Sequence, residues 1–268
     1  MIGCSSHVTK YHVRDRANAL LGNVFVSLRD FVYPPVCLTC ESILESAAER
    51  ICRRCWGSLQ RIDRTHPVWK ELQEKLKTEG IVTDFLSCYL FEKEGKLQEI
   101  VHLLKYGGKR SLGERLGREV GELMLKNPDF LSPDYLVPVP LNKLKQRERG
   151  YNQAECICRG ISDVTRIPVE RSLIIRRRYT QSQTELDRNR RRENVEGAFA
   201  VKMNKRVALP GNRANAEPAA IANGAVTGLS IVLVDDVFTT GATIEACARE
   251  LVAHGAERVL AVSAALAS

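Results

Sequence analysis

A chain of 268 residues with 44% apolar residues is long enough to bury one sizeable core, and its length favours one main domain plus a small module. Lysine and arginine outnumber the acids 40 to 32, a surplus of +8. No run reaches the eighteen or so continuous apolar residues of a membrane helix, so a soluble protein without membrane insertion is expected.

The first 33 residues form an N-terminal extension in which Ala17, Leu20, Leu21, Val24, Leu28 and Phe31 recur at helical spacing, interrupted by Gly22 and Asn23. A secretory signal is the competing reading, because Arg14 and Arg16 precede the apolar patch; Asp15 among them and the lack of a small-residue cleavage site count against it. Pro34 and Pro35 break the chain, and 34–60 is short, polar and cysteine-rich, as expected of a module held by a metal. Cys37, Cys40, Cys52 and Cys55 form two Cys-x-x-Cys pairs eleven residues apart. Four thiolates at that spacing close a tetrahedron around structural zinc and leave no open position for catalysis; disulfides are the alternative. Nine cysteines, an odd number with four in a metal pattern, imply a reducing, cytoplasmic compartment.

From 61 to 268 the chain reads as the main domain. A mixed stretch runs to about 94, with 85–91 as a strand. Residues 96–105 and 112–124 read as helices, the second with Leu112, Leu116, Val120 and Leu123 on one face. Residues 135–139 read as a strand entering a basic loop, and 151–161 as a helix. Within that loop Lys143, Lys145, Arg147 and Arg149 face only Glu148, a net +3, and 171–192 holds eight arginines against Glu185 and Asp187, a net +6. These two stretches exceed the whole surplus, which implies a local polyanion site. The segment around 210–228 is rich in Ala, Asn, Gly and Pro and is expected to be a solvent-exposed insertion with little fixed structure. Residues 231–235 read as a buried parallel strand, 242–254 as a helix closed by Gly255, and 258–263 as another strand. That βαβ succession makes the main domain α/β with a largely parallel sheet.

The stretch from Ile231 to Thr243, IVLVDDVFTTGAT, carries the chemistry. Ligands of α/β sheets gather at the carboxyl ends of strands, where Asp235 and Asp236 are expected. The following turn leads into a helix whose amides and dipole suit a phosphate. Thr239, Thr240 and Thr243 add hydroxyls, and Gly241 lets the main chain approach the anion. The aspartates repel that same phosphate and must face a neighbouring group; a ribose that becomes cationic at its anomeric carbon satisfies both demands. Nucleotide hydrolases also place aspartates after an apolar strand, but they need a Gly-x-x-x-x-Gly-Lys-Ser/Thr loop, which this chain lacks.

VLVDDVFTTGAT resembles the phosphoribosyl pyrophosphate signature of type I phosphoribosyltransferases. With CLTC and CRRC, LLKYGGK at 103–109, VPVPL at 137–141, RGYNQA at 149–154 and QTEL followed by RRENVEGAF, the pattern resembles the ComF family of competence-associated phosphoribosyltransferase-like proteins. The resemblance implies a type I phosphoribosyltransferase-like fold with an N-terminal zinc module, phosphoribosyl pyrophosphate as substrate or ligand, and magnesium. It implies that Thr239, Thr240, Gly241, Ala242 and Thr243 hold the 5-phosphate and that Asp235 and Asp236 face the ribose. Pyrophosphate falls to the loop after VPVP, with Arg149, Asn152 and Gln153 as family-pattern residues and Lys105 as a second cation. A further loop carries Gln183, Arg191 and Asn194. This arginine-rich loop either closes over the pyrophosphate or tracks a nucleic-acid backbone. Family association implies DNA uptake in natural transformation, with single-stranded DNA or the uptake machinery as partner. An enzyme with an unknown acceptor, its pocket drawn from the zinc module and residues 60 to 95, competes with a non-catalytic sensor or DNA-handling protein.

Overall fold

The computed structural model describes residues 34–46, 48–177, 197–202 and 226–268. The N-terminal extension, Gln183, Arg191, Asn194 and most of the Ala/Asn/Gly/Pro-rich segment lie outside the described residues. The chain divides into two compact units, Met1–Ser58 and Leu59–Ser268.

In the first unit the two Cys-x-x-Cys pairs are presented differently. Cys37 and Cys40 sit in a tight turn closed by the Val36–Ile43 bridge and by Cys37 N–H on the Ser42 carbonyl at 2.8 Å. Glu41 takes the left-handed conformation there, with φ 59°. Cys52 caps the short helix α1 (Arg53–Gly57), its sulfur accepting the Cys55 N–H at 3.4 Å, so the second pair belongs to the start of a helix. Among the described residues of the unit few apolar groups are buried, chiefly Leu44, Ile51 and Trp56, which suits a module that relies on metal for its stability.

The second unit contains α2 (Pro67–Glu79), β1 (Asp84–Phe91), α3 (Lys96–Tyr106), α4 (Arg110–Leu125), β2 (Tyr135–Pro138), α5 (Lys143–Arg149) and α6 (Gln153–Thr165). These are followed by β3 (Ile174–Arg176), β4 (Phe199–Val201), β5 (Ser230–Phe238), α7 (Ala242–Ala253) and β6 (Arg258–Ala267). Four strands form a parallel sheet in the order β1-β6-β5-β2, and β3 pairs with β4 as a small antiparallel ribbon. The expected α/β class with a parallel sheet is what the topology shows. Crossing from β1 to β2 traverses the sheet in one direction, and crossing from β5 to β6 returns in the other. Right-handed crossovers therefore assign α3–α4 and α7 to opposite faces.

On the first face α4 and α6 pack on one another and onto the strands. Their contact depends on glycines: a Cβ on Gly117 would lie 2.1 Å from the Ile157 carbonyl oxygen, and one on Gly160 would lie 2.0 Å from that of Glu114. The helix pair is thus in backbone contact, as small residues at four-residue spacing (Gly113, Gly117, Gly121) permit. Leu112, Leu116 and Val120 are buried as expected, but Met124 completes the stripe and Leu123 is half-buried.

Three elements differ from the sequence expectation. The mixed stretch contains α2, whose start is capped by the His66 ring accepting the Val68 N–H at 3.3 Å, an uncommon cap that gives little signal in sequence. Its buried residues are only Trp69, Leu72 and Leu76, and Trp69 stacks on Phe85 with ring centroids 4.6 Å apart. The basic loop is the helix α5, capped by Asn142 and ended by Gly150 at φ 73°. The insertion ends before 226, because Val226 is buried and Gly228 N–H bonds the Gly255 carbonyl at 2.9 Å; these last residues belong to the folded unit. No helix among the described residues is long and apolar enough to cross a membrane.

Candidate functional site

The site begins where two paired strands separate. β2 and β5 run in register from Tyr135 opposite Ile231 to Pro138 opposite Val234. Val139 N–H then bonds the Val234 carbonyl at 2.9 Å. In that register the next ladder bond would join the Asp236 N–H to the Val139 carbonyl. Instead the Asp236 N–H turns to Asp235 Oδ1 at 2.8 Å, and the Val139 carbonyl accepts from Asn152 Nδ2 at 2.9 Å. β5 continues to Phe238 beside β6 alone, and a cavity of about 390 Å³ opens along it. The strand therefore extends three residues past Asp235, the end expected from sequence.

Successive strand side chains point to opposite faces, and the two aspartates have different neighbours accordingly. Asp236 Oδ2 lies 2.7 Å from Lys105 Nζ at the end of α3. Burial raises its pKa, but the charge and hydrogen bond of Lys105, the Val237 N–H and the charge of Arg149 outweigh that and hold the carboxyl below the usual aspartate range. Asp235 has the opposite fate: burial and the negative charge of Asp236 push it up to about 7. Two adjacent carboxylates thus share one net charge near neutral pH.

The cavity is also lined by cations. Lys105, Lys145, Arg149 and Arg176 all line it. The Lys145 ammonium is depressed by burial and by the positive charges of Arg149, Arg176 and Lys105. Arg149 reaches Gln153 Oε1 at 3.0 Å and lies 5.2 Å over the Tyr106 ring. Gln153 is 2% exposed, yet its Nε2 and the Arg149 Nε have no hydrogen-bond partner among the described residues. Buried orphan donors in a cavity wall call for an acceptor.

Thr239 and Thr243, on either side of the turn into α7, also line the cavity. The Glu245 N–H to Gly241 carbonyl bond, 2.9 Å, is the first of the helix, so the N–H groups of Ala242, Thr243 and Ile244 precede the helical ladder. Gly241 has φ 76°, and a Cβ there would sit 2.9 Å from Leu72 Cδ1, so glycine is required by strain and by the packing of α2. Ala242 is buried.

Of the site residues expected from sequence, Asp235, Asp236, Lys105, Arg149, Asn152, Gln153, Thr239 and Thr243 line one cavity. Asn152 uses both ends of its amide internally, on the Val139 carbonyl and the Ala154 N–H. Lys145 and Arg176 belong to the two basic stretches expected to meet a polyanion, but neither was singled out as a site residue from the sequence. Lys145 and Arg149 are four residues apart, and reading the run as a helix would have set that face apart from Lys143 and Arg147.

In the N-terminal unit the sulfurs of Cys37, Cys40, Cys52 and Cys55 all lie within 4.8 Å of one another, with Cys40 and Cys52 3.7 Å apart. A zinc ion with bonds of about 2.3 Å places its sulfurs roughly 3.8 Å apart, so the set fits a closed tetrahedral site. The Cys52 N–H points at Cys37 Sγ at 3.3 Å, a main-chain donor to a thiolate. The other described cysteines, Cys88, Cys156, Cys158 and Cys247, are buried singly in the other unit.

A double zinc ribbon domain family matches residues 28–81. The DNA utilization protein YhgH of Salmonella typhimurium is 30% identical over 61% of this chain and 64% of its own length. Competence protein F of Haemophilus influenzae is 31% identical over 47% of this chain and 48% of that protein. Competence protein ComFC of Bacillus subtilis is 25% identical over 82% of this chain and 79% of that protein. The chain thus matches less than two thirds of the length of the YhgH relatives. Among solved structures, glutamine phosphoribosylpyrophosphate amidotransferase from B. subtilis aligns with TM-score 0.35 and 16% identity, over 60% of this chain and 30% of that one. The chain thus carries a double zinc ribbon match at its start and is similar, over part of its length, to competence proteins F and ComFC.

Proposed function

We propose that the cavity of the Leu59–Ser268 unit binds phosphoribosyl pyrophosphate with magnesium, and that the protein transfers the phosphoribosyl group to an acceptor. The observation that carries this reading is the charge layout of one cavity. Paired carboxylates, the Thr239 and Thr243 hydroxyls beside a helix start, the cations Lys105, Lys145, Arg149 and Arg176, and buried donors on Arg149 and Gln153 all line the same cavity. A ligand that carries a phosphate, a sugar and a pyrophosphate has a partner there for each of its parts. The amides and hydroxyls of Thr239–Thr243 take the 5-phosphate. Asp235 and Asp236 accept from the ribose hydroxyls and stabilise positive charge at the anomeric carbon as its bond to pyrophosphate breaks. Arg149, Gln153, Lys145 and Lys105 receive the departing oxygens, with Gln183 and Arg191 as further contributors from the segment outside the described residues. Asn152 holds the strands apart. The acceptor forms its bond to the anomeric carbon and gives up a proton.

Magnesium takes hard oxygen ligands. Asp235, which accepts the Asp236 N–H, offers one beside the pyrophosphate oxygens; the ion would offset the charge of the leaving group. The relatives' names, competence protein and DNA utilization protein, support a role in handling DNA taken up by the cell, with single-stranded DNA or uptake proteins as partners.

Calorimetric titration with phosphoribosyl pyrophosphate and magnesium tests the binding. Wild-type protein should bind, and Asp235→Asn/Asp236→Asn should not; equal binding by both would overturn the assignment. Pyrophosphate release during incubation with pools of bases and amines tests the transfer. Tight binding without release from any pool would identify a sensor in place of an enzyme.

A further inference from the structure

The phosphate end of the site is supported from behind by a residue that no sequence motif marks. Lys75, on α2, donates its ammonium to the Thr240 carbonyl and lies 3.8 Å from Glu245 Oε1. Thr240 belongs to the turn that leads into α7, and Glu245 lies in the first turn of that helix with 3% of its surface exposed. We propose that Lys75 is a positioning residue that sets the anion-binding conformation of the Thr239–Thr243 turn. This inference rests on the phosphoribosyl reading of the site.

In a trans peptide the carbonyl and the following N–H point in opposite directions. Lys75 holds the Thr240 oxygen toward α2, so the N–H of Gly241 is turned away from α2. Flipping that peptide would present a carbonyl oxygen where an anion needs a donor. The same ammonium offsets the buried Glu245 carboxylate, which otherwise places negative charge next to an anion at a helix start. The support is rigid. α2 packs Leu72 and Leu76 against Gly241, where an added Cβ would lie 2.9 Å from Leu72 Cδ1 and 3.5 Å from Leu76 Cδ2. Trp69 stacks on Phe85 of β1, and Phe85 meets the ring of Phe238, the last residue of β5 before the turn, at 6.2 Å. The lysine is thus registered against the strand from which the turn departs.

The test uses the full chain as wild type, Lys75→Met, Lys75→Arg and the double variant Lys75→Met/Glu245→Gln, titrated with phosphoribosyl pyrophosphate and magnesium. Hydrogen exchange at the Gly241 amide is followed by NMR in the absence of ligand. Lys75→Met should weaken binding about tenfold or more, the scale of one charge-assisted hydrogen bond. Lys75→Arg should restore most of that loss, and neutralising Glu245 in the double variant should recover part of it. A merely structural lysine would predict neither that partial recovery nor faster exchange confined to the turn. Lys75→Met binding as tightly as wild type, with unchanged Gly241 exchange, overturns the inference. Should the wild type bind no phosphoribosyl pyrophosphate, the functional reading fails on its own, and the exchange measurement still decides whether Lys75 sets the turn.

Discussion

Asp235→Asn separates stability from binding at a single atom. In the folded protein Asp235 is pushed up to about 7, whereas an unfolded aspartate titrates near its ordinary 3.8. A group whose folded pKa is raised makes the native state hold the extra proton between those values, so stability falls as pH rises from about 4 to 7 and is level above that. At about 1.36 kcal/mol per pH unit, a span of roughly 3 units corresponds to about 4 kcal/mol at most above pH 7, and to less than half of that at pH 5. Asp235 is only partly buried, and solvent screening reduces these to about half. Asparagine keeps an oxygen for the Asp236 N–H and has no charge to bury. The variant should therefore be about 2 kcal/mol more stable than wild type at pH 8.5, with a smaller advantage at pH 5. Urea unfolding at the two pH values measures it, together with ligand titration, which should fail. An advantage that does not grow with pH would refute the electrostatic account of the pair.

Three other outcomes follow from the geometry. Gly117→Ala forces a Cβ to within 2.1 Å of the Ile157 oxygen and should cost on the order of 3 kcal/mol or more in urea unfolding. Gly121→Ala, whose Cβ would meet Val164 Cβ at 3.1 Å, should cost clearly less. Asn152→Ala removes a helix cap and strands the Val139 carbonyl, about 2 kcal/mol together; an unchanged unfolding midpoint would contradict that double role. Metal analysis should find one zinc per chain, and Cys40→Ser should release it, with a chelator exposing all four thiols of the module to a thiol reagent.

The parts of the fold that were legible before the structure are those in which side-chain pattern and environment agree. β5 starts with an apolar run, 231–234, because both of its faces are covered there, and α7 is bracketed by two glycines, Gly241 and Gly255, at positive φ. α2 was not legible because its buried stripe is three residues long and a histidine opens it. The turn after β5 and the aspartates could be named from local sequence, since their geometry is local. Lys145 and Arg176 could be placed only in basic stretches, and Lys75 not at all, because each reaches its partners across the fold and differs in no way from a surface cation until the chain is assembled.

One side-chain amide joins two structural tasks. Asn152 starts α6 with its oxygen and holds the end of β2 away from β5 with its nitrogen. The aperture of the cavity and the integrity of a helix end are therefore one mechanical variable. A ligand that prises the edge strand outward must fray that helix, and any mutation that loosens the helix start will let the strands zip together and shut the door from inside.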